Sequence, residues 1–151
     1  MSLPAFLRRL DAETRIRLQP SPISGVGVFA IQPLSEGSDP FVGAADADVE
    51  TRFVPEEELA RLSDPVRRMV TDFCLPRVEG GVAGRWVYLR GFNFMDASFF
   101  LNHSAEDANV AMCDDASSSL CVFRTTRDVA PGEELLFDYT ASSRAALASS
   151  C

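Results

Sequence analysis

The chain contains one histidine. His103 stands between Asn102 and Ser104, at the end of the apolar run Phe99, Phe100 and Leu101. An imidazole there could serve as a base, a metal ligand or a hydrogen-bonding contact to a bound molecule. Asn102 and Ser104 could equally satisfy a turn through side-chain-to-backbone bonds, with the ring tucked against the core. A Ser-His-Asp triad is conceivable, but there is no nucleophile elbow, and many serines would qualify equally well. A second stretch, SGVGVFA, sets Gly25 and Gly27 around Val26, just before a strand-like run. Glycines at that spacing let a backbone approach a ligand closely. They also make plain tight turns, and the third glycine and following helix of a dinucleotide or phosphate loop are missing. A third stretch, EELLFDY, ends on Tyr139, one of two tyrosines. Blandly it is a tyrosine at the edge of the core. Functionally, a phenol beside an apolar pocket can orient an amine by hydrogen bonding without taking its proton.

Elements must bring these stretches together. LPAFLRRLDAE reads as a short amphipathic helix with Phe6, Leu7 and Leu10 on one face. RIRLQP and VGVFAI read as strands joined by the turn chemistry of PSPISG. Pro55 is expected to open a short helix over EEELARL, with the acidic residues at its positive end. Asp64 and Pro65 are expected as cap and first residue of a second helix, in which Val66, Met69, Val70 and Phe73 share a face. VEGGVAG reads as a turn and RWVYLRGF as a strand carrying Trp86 and Tyr88 on one face. NVAM and SLCVFRTT read as a hairpin across DDASSS, and a Pro-Gly turn leads into a last strand, EELLF. Many short strands with one small helical stretch predict a mostly-β fold of small sheets.

Composition narrows the function. The 151 residues are of one-domain size. Fourteen basic residues, all arginine, stand against 22 acidic ones, for a net charge of −8. That argues against direct nucleic-acid binding, which needs cations to neutralise phosphates, and suits a basic partner. Cys74, Cys113, Cys121 and Cys151 form no C-x-x-C pair, so no structural metal is expected. No signal-peptide pattern and no apolar run near about 18 residues is present, which predicts no membrane span and an intracellular chain with free thiols, nucleus or cytoplasm alike.

In this order and at these intervals, the three stretches resemble the SET-domain family of protein lysine methyltransferases. SGVGVFAI resembles the family's G-x-G strand opening, FFLNHSAEDAN its R-F-I-N-H-S-C-x-P-N segment, and RDVAPGEELLFDY its R-x-I-x-x-G-E-E-L-x-x-D-Y closing motif. The resemblance implies an N-terminal helical extension over 1–15, a SET domain over 16–140 with a helical insert at about 50–75, and a tail over 141–151. It implies small sheets with a knot-like threading of the closing segment. It further implies S-adenosylmethionine as cofactor, contacted by Gly25, Val26, Gly27, Asn102, His103 and Tyr139, with His103 positioning rather than acting as base. Tyr139 would be the catalytic residue where methyl donor meets lysine, and Phe41, Tyr88 and Phe137 would line the substrate channel. The substrate would be a lysine of a basic protein, histone tails being the family's commonest class. A SET-fold module that binds cofactor or a basic peptide without turnover is the alternative.

The sequence departs from the pattern in places. Phe99 stands where the family has arginine, and Ala105 where it has cysteine. AEDAN is one residue longer than the usual linker, and DPFVG offers Phe41 in place of a tyrosine. No cysteine-rich zinc module follows Tyr139, so the tail or a second copy, as a homodimer, would have to close the channel.

Overall fold

A computed structural model describes residues 3–41, 51–88, 95–113 and 122–141. The chain forms two compact units, one of Met1–Ala47 with Asp96–Cys151 and one of Asp48–Met95.

The first unit opens with α1 (Leu3–Glu13). Gln32 Nε2 reaches the Asp11 carbonyl at 2.9 Å and the Thr14 carbonyl at 2.5 Å, satisfying oxygens that a helix end leaves without partners. The face expected to carry Phe6, Leu7 and Leu10 is exposed at all three, and so is Leu3. β1 (Ile16–Pro20) and β2 (Val26–Ala30) pair antiparallel, Leu18 opposite Val28. β2 runs into the core, with Val28 and Ala30 buried.

The closing strand organises this unit. It is numbered β9 (Glu134–Phe137) and pairs antiparallel with β2, Val28 opposite Leu135. It also pairs in parallel with β6 (Asn102–His103) and β7 (Val110–Cys113), and Phe137 is registered with both His103 and Val110. β7 forms the expected hairpin with β8 (Val122–Thr125). The connecting DDASSS segment lies outside the described residues. The resulting six-stranded sheet runs β1-β2-β9-β7-β8, with β6 also on β9. The apolar run before β6 forms a 3-10 turn, Ala97–Phe100, whose first turn is capped by Asp96 accepting the Ser98 N–H at 2.8 Å.

Asn109 locks β9 in place. It is 1 % exposed, and a buried amide must find partners. Its Oδ1 accepts the Leu136 N–H at 2.8 Å, its Nδ2 donates to the Glu134 carbonyl at 2.9 Å, and its own N–H donates to the Leu136 carbonyl at 3.0 Å.

The second unit contains β3 (Thr51–Pro55), α2 (Glu56–Leu59), α3 (Asp64–Phe73), β4 (Pro76–Glu79) and β5 (Val82–Tyr88), with sheet order β3-β5-β4. The stretch expected to be helical from about 50 therefore begins with a strand: Thr51 to Val54 alternate and pair with β5, which overrides any helical preference. Pro55 is the N-cap of α2 rather than its first helical residue, and Ser63, not Asp64, is the N-cap of α3. The turn VEGGVAG is narrower than expected. Gly80 and Gly81 alone make it, at φ +55° and +82°, and the flanking residues belong to β4 and β5. Leu59, Val70 and Cys74 form the core of this unit, with Val54 and Val87 packed against them. Burial pushes the Cys74 thiol up to about 11. Arg85 donates to Glu56 Oε1 at 2.9 Å, and to the Thr71 and Cys74 carbonyls, tying both helices to β5.

The expectation of free thiols holds for Cys74 and fails for Cys113, which is disulfide-bonded. Among the described residues, no helix is long and apolar enough to cross a membrane.

Candidate active site

The glycine turn is built from both ends. The Ser21 N–H donates to the Gly25 carbonyl at 2.9 Å, and Ser21 Oγ accepts the Ile23 N–H at 3.0 Å. Gly25 lies at φ +48°, where a side chain would be strained. Gly27 is needed for a different reason. A Cβ there would collide with the Glu134 carboxylate and come within 3.0 Å of Ser21 Cβ.

Asn102 meets this turn from β6. Its Nδ2 lies 3.0 Å from the Ser24 carbonyl, 3.4 Å from the Val26 carbonyl and 2.9 Å from Glu134 Oε1. All three neighbours are acceptors, which fixes the amide orientation: nitrogen inward, Oδ1 outward. Among the described residues no donor reaches that oxygen. The other carboxylate oxygen of Glu134 accepts from Ser21 Oγ at 3.0 Å.

His103 follows on the same strand. Its Nδ1 lies 3.1 Å from the Tyr139 N–H and 3.3 Å from the Phe137 carbonyl. A backbone N–H can only donate, so Nδ1 accepts and the ring proton sits on Nε2. The Phe137 carbonyl is served instead by the Ser104 N–H at 3.3 Å. Asp138 Oδ1 is 3.9 Å from Nδ1, beyond hydrogen-bond range. Its carboxyl is held below the ordinary range, chiefly by the Thr140 hydroxyl.

Tyr139 joins the two segments. Its hydroxyl donates to the Leu101 carbonyl, and its ring lies 5.1 Å from His103 and 5.8 Å from Phe137. It remains 38 % exposed, and partial burial raises the phenol above its ordinary value of 10.0. The phenol is therefore neutral at physiological pH. Beyond Phe137 the aromatic contacts continue, edge to face, to Phe123 at 5.5 Å and from Phe123 to Phe41 at 5.6 Å.

Most of the residues expected at the site thus lie together. Gly25, Val26 and Gly27 meet Asn102 at the turn, while His103, Tyr139, Phe137 and Phe41 form one aromatic row with Phe123. Phe137 itself is buried. Tyr88 ends β5 in the other unit, opposite Thr51, and its side chain lies outside the described part. Sequence reasoning missed Glu134, Ser21, Asn109 and Phe123. Glu134 and Asn109 sit inside the quoted motifs, so their position was visible although their partners were not. Ser21 and Phe123 carried no signal beyond turn chemistry and strand alternation.

The SET domain profile matches residues 25–140, and the chain belongs to the SET-domain family. No protein of curated function matches the sequence. Among solved structures, the methyltransferase domain of human PR domain-containing protein 2 superposes with a TM-score of 0.53 at 16 % identity, covering 82 % of this chain and 76 % of that one. A Plasmodium falciparum protein assigned as a histone methyltransferase gives a TM-score of 0.46 at 18 % identity, covering 83 % of this chain and 93 % of that one. The mostly-β fold expected from the motifs is therefore the SET fold.

Proposed function

We propose that the chain is an S-adenosylmethionine-dependent protein-lysine N-methyltransferase. The observation that carries this reading is the position of Tyr139, whose N–H bonds His103 and whose hydroxyl bonds Leu101, the residue just before Asn102. When bound, S-adenosylmethionine supplies an electrophilic methyl group on a sulfonium. The groups left over by the protein's own hydrogen bonds fit such a ligand. Asn102 Oδ1 is a spare acceptor suited to an α-ammonium, and His103 Nε2–H a spare donor suited to a carboxylate or ring nitrogen.

The remaining residues suit a lysine. Its amine, with an ordinary pKa of about 10.4, must be neutral to react. The apolar row Phe41, Phe123 and Phe137 disfavours the ammonium by desolvation. The neutral Tyr139 phenol donates to the Leu101 carbonyl, which fixes the hydroxyl at the His103 end of the aromatic row. His103 does not act as base here, because Nδ1 is already occupied. Proton release therefore falls to water. The net charge of −8 favours a basic substrate segment, histone tails among them.

Calorimetric titration with S-adenosylmethionine tests the reading without a guessed substrate. Saturable one-to-one binding is expected, weakened about tenfold or more in His103→Ala. A folded wild-type chain that binds none would refute it.

A further inference from the structure

Glu134 is a carboxylate of the site to which the chemistry above gives no task. Glu134 begins β9, two residues before the strand reaches β6, and its two oxygens reach in different directions. Oε1 accepts the Asn102 amide at 2.9 Å, and Oε2 accepts the Ser21 hydroxyl at 3.0 Å. The same Ser21 oxygen holds the Ile23 N–H inside the glycine turn. The carboxylate lies in space that any side chain on residue 27 would fill.

We propose that Glu134 is a positioning residue: it fixes the Asn102 amide and the Ser21–Gly25 turn relative to each other, and so presents Asn102 Oδ1 to the cofactor. The proposal rests on the reading of this pocket as a cofactor site. Asn102 Nδ2 has two hydrogens and three acceptors around it. Two are backbone carbonyls of the turn itself, at Ser24 and Val26. Glu134 is the acceptor supplied from another strand, and its charge makes it the strongest of the three. Without it the amide can rotate, and the turn loses the bond that ties Ser21 to β9. The role is geometric. A carboxamide, which keeps one acceptor for Asn102 and offers an N–H to Ser21 Oγ, should largely replace it.

The test compares Glu134→Ala with Glu134→Gln in the full chain. Two quantities are read: S-adenosylmethionine affinity by calorimetry, and the Asn102 side-chain amide pair in the ligand-free protein by NMR, assigned through Asn102→Ala. Glu134→Ala is expected to weaken binding about tenfold or more and to shift or broaden the amide pair, while Glu134→Gln stays within about threefold of wild type. Wild-type affinity in Glu134→Ala overturns the proposal. Equal loss in both variants also overturns it, since charge rather than position would then be the property required. If Glu134→Ala does not fold, Ser21→Ala removes one leg alone. Its affinity should fall about threefold, and no change would count against the proposal. A wild-type chain that binds no cofactor defeats the functional reading instead. The amide pair then still decides whether Glu134 holds Asn102.

Discussion

At the scale of single residues, the tautomer of His103 and the protonation of Tyr139 set what the site can do. Replacing Tyr139 by Phe keeps the ring that packs on His103 and Phe137 and removes the hydroxyl that reaches Leu101. Fold and cofactor affinity should survive, while the rate or the number of methyl groups added changes; mass spectrometry of a methylated peptide would show both. An unchanged rate and product would remove Tyr139 from the transfer site. The same phenol gives a pH signature. Its folded value lies above 10.0 because burial penalises the phenolate, so the native state holds its proton where the unfolded chain has lost it. The stability it contributes is complete below pH 10 and declines as pH rises through the folded value. Thermal unfolding followed from pH 9 upward should decline less steeply in Tyr139→Phe than in wild type.

At the scale of elements, β9 is the strand on which the site depends. Asn109 holds it by both its side-chain atoms. Asn109→Ala would strand the Leu136 N–H and the Glu134 carbonyl, at a cost on the order of 3 kcal/mol by urea denaturation. A loss below about 0.5 kcal/mol would show that β9 is held by its strand pairing alone. In the second unit, Gly84 has no room for a side chain: a Cβ would lie 2.5 Å from both Phe53 Cζ and the Val54 carbonyl. The ring could shift but the carbonyl belongs to the β3–β5 ladder, so Gly84→Ala should cost about 1–3 kcal/mol. Hydrogen exchange should localise that loss to β3 and β5.

At the scale of the whole molecule, charge and composition govern encounters with partners. With 22 acidic against 14 basic residues, affinity for a lysine-rich peptide should fall as salt rises, since screening lengths shrink from roughly 10 Å at 0.1 M to 3 Å at 1 M. Salt-independent binding of such a peptide would argue that net charge has no part in recognition. All 14 basic residues are arginine, so the chain offers no lysine of its own, and any methyl-lysine formed in an assay belongs to the added substrate.

The sequence by itself determined the ingredients and their order. Strand alternation marked β1, β2, β7, β8 and β9; the motif spacing marked Gly25, Asn102, His103 and Tyr139. These are local signals, written within a few neighbouring residues. The tertiary structure alone decided what meets what. Ser21 and Glu134 are 113 residues apart, and nothing local in either pairs them. The same holds for Phe123 as the link between Phe41 and Phe137. β3 was missed because a short strand beside an acidic helix start gains its stability from β5, some thirty residues later. The apolar face of α1 shows the converse. Its periodicity was legible, but amphipathicity states only that a helix has a face to bury, and the fold leaves that face exposed. Local patterns fix which side of an element is apolar. Only the closed set of long-range strand pairs fixes which distant side chains share a hydrogen bond.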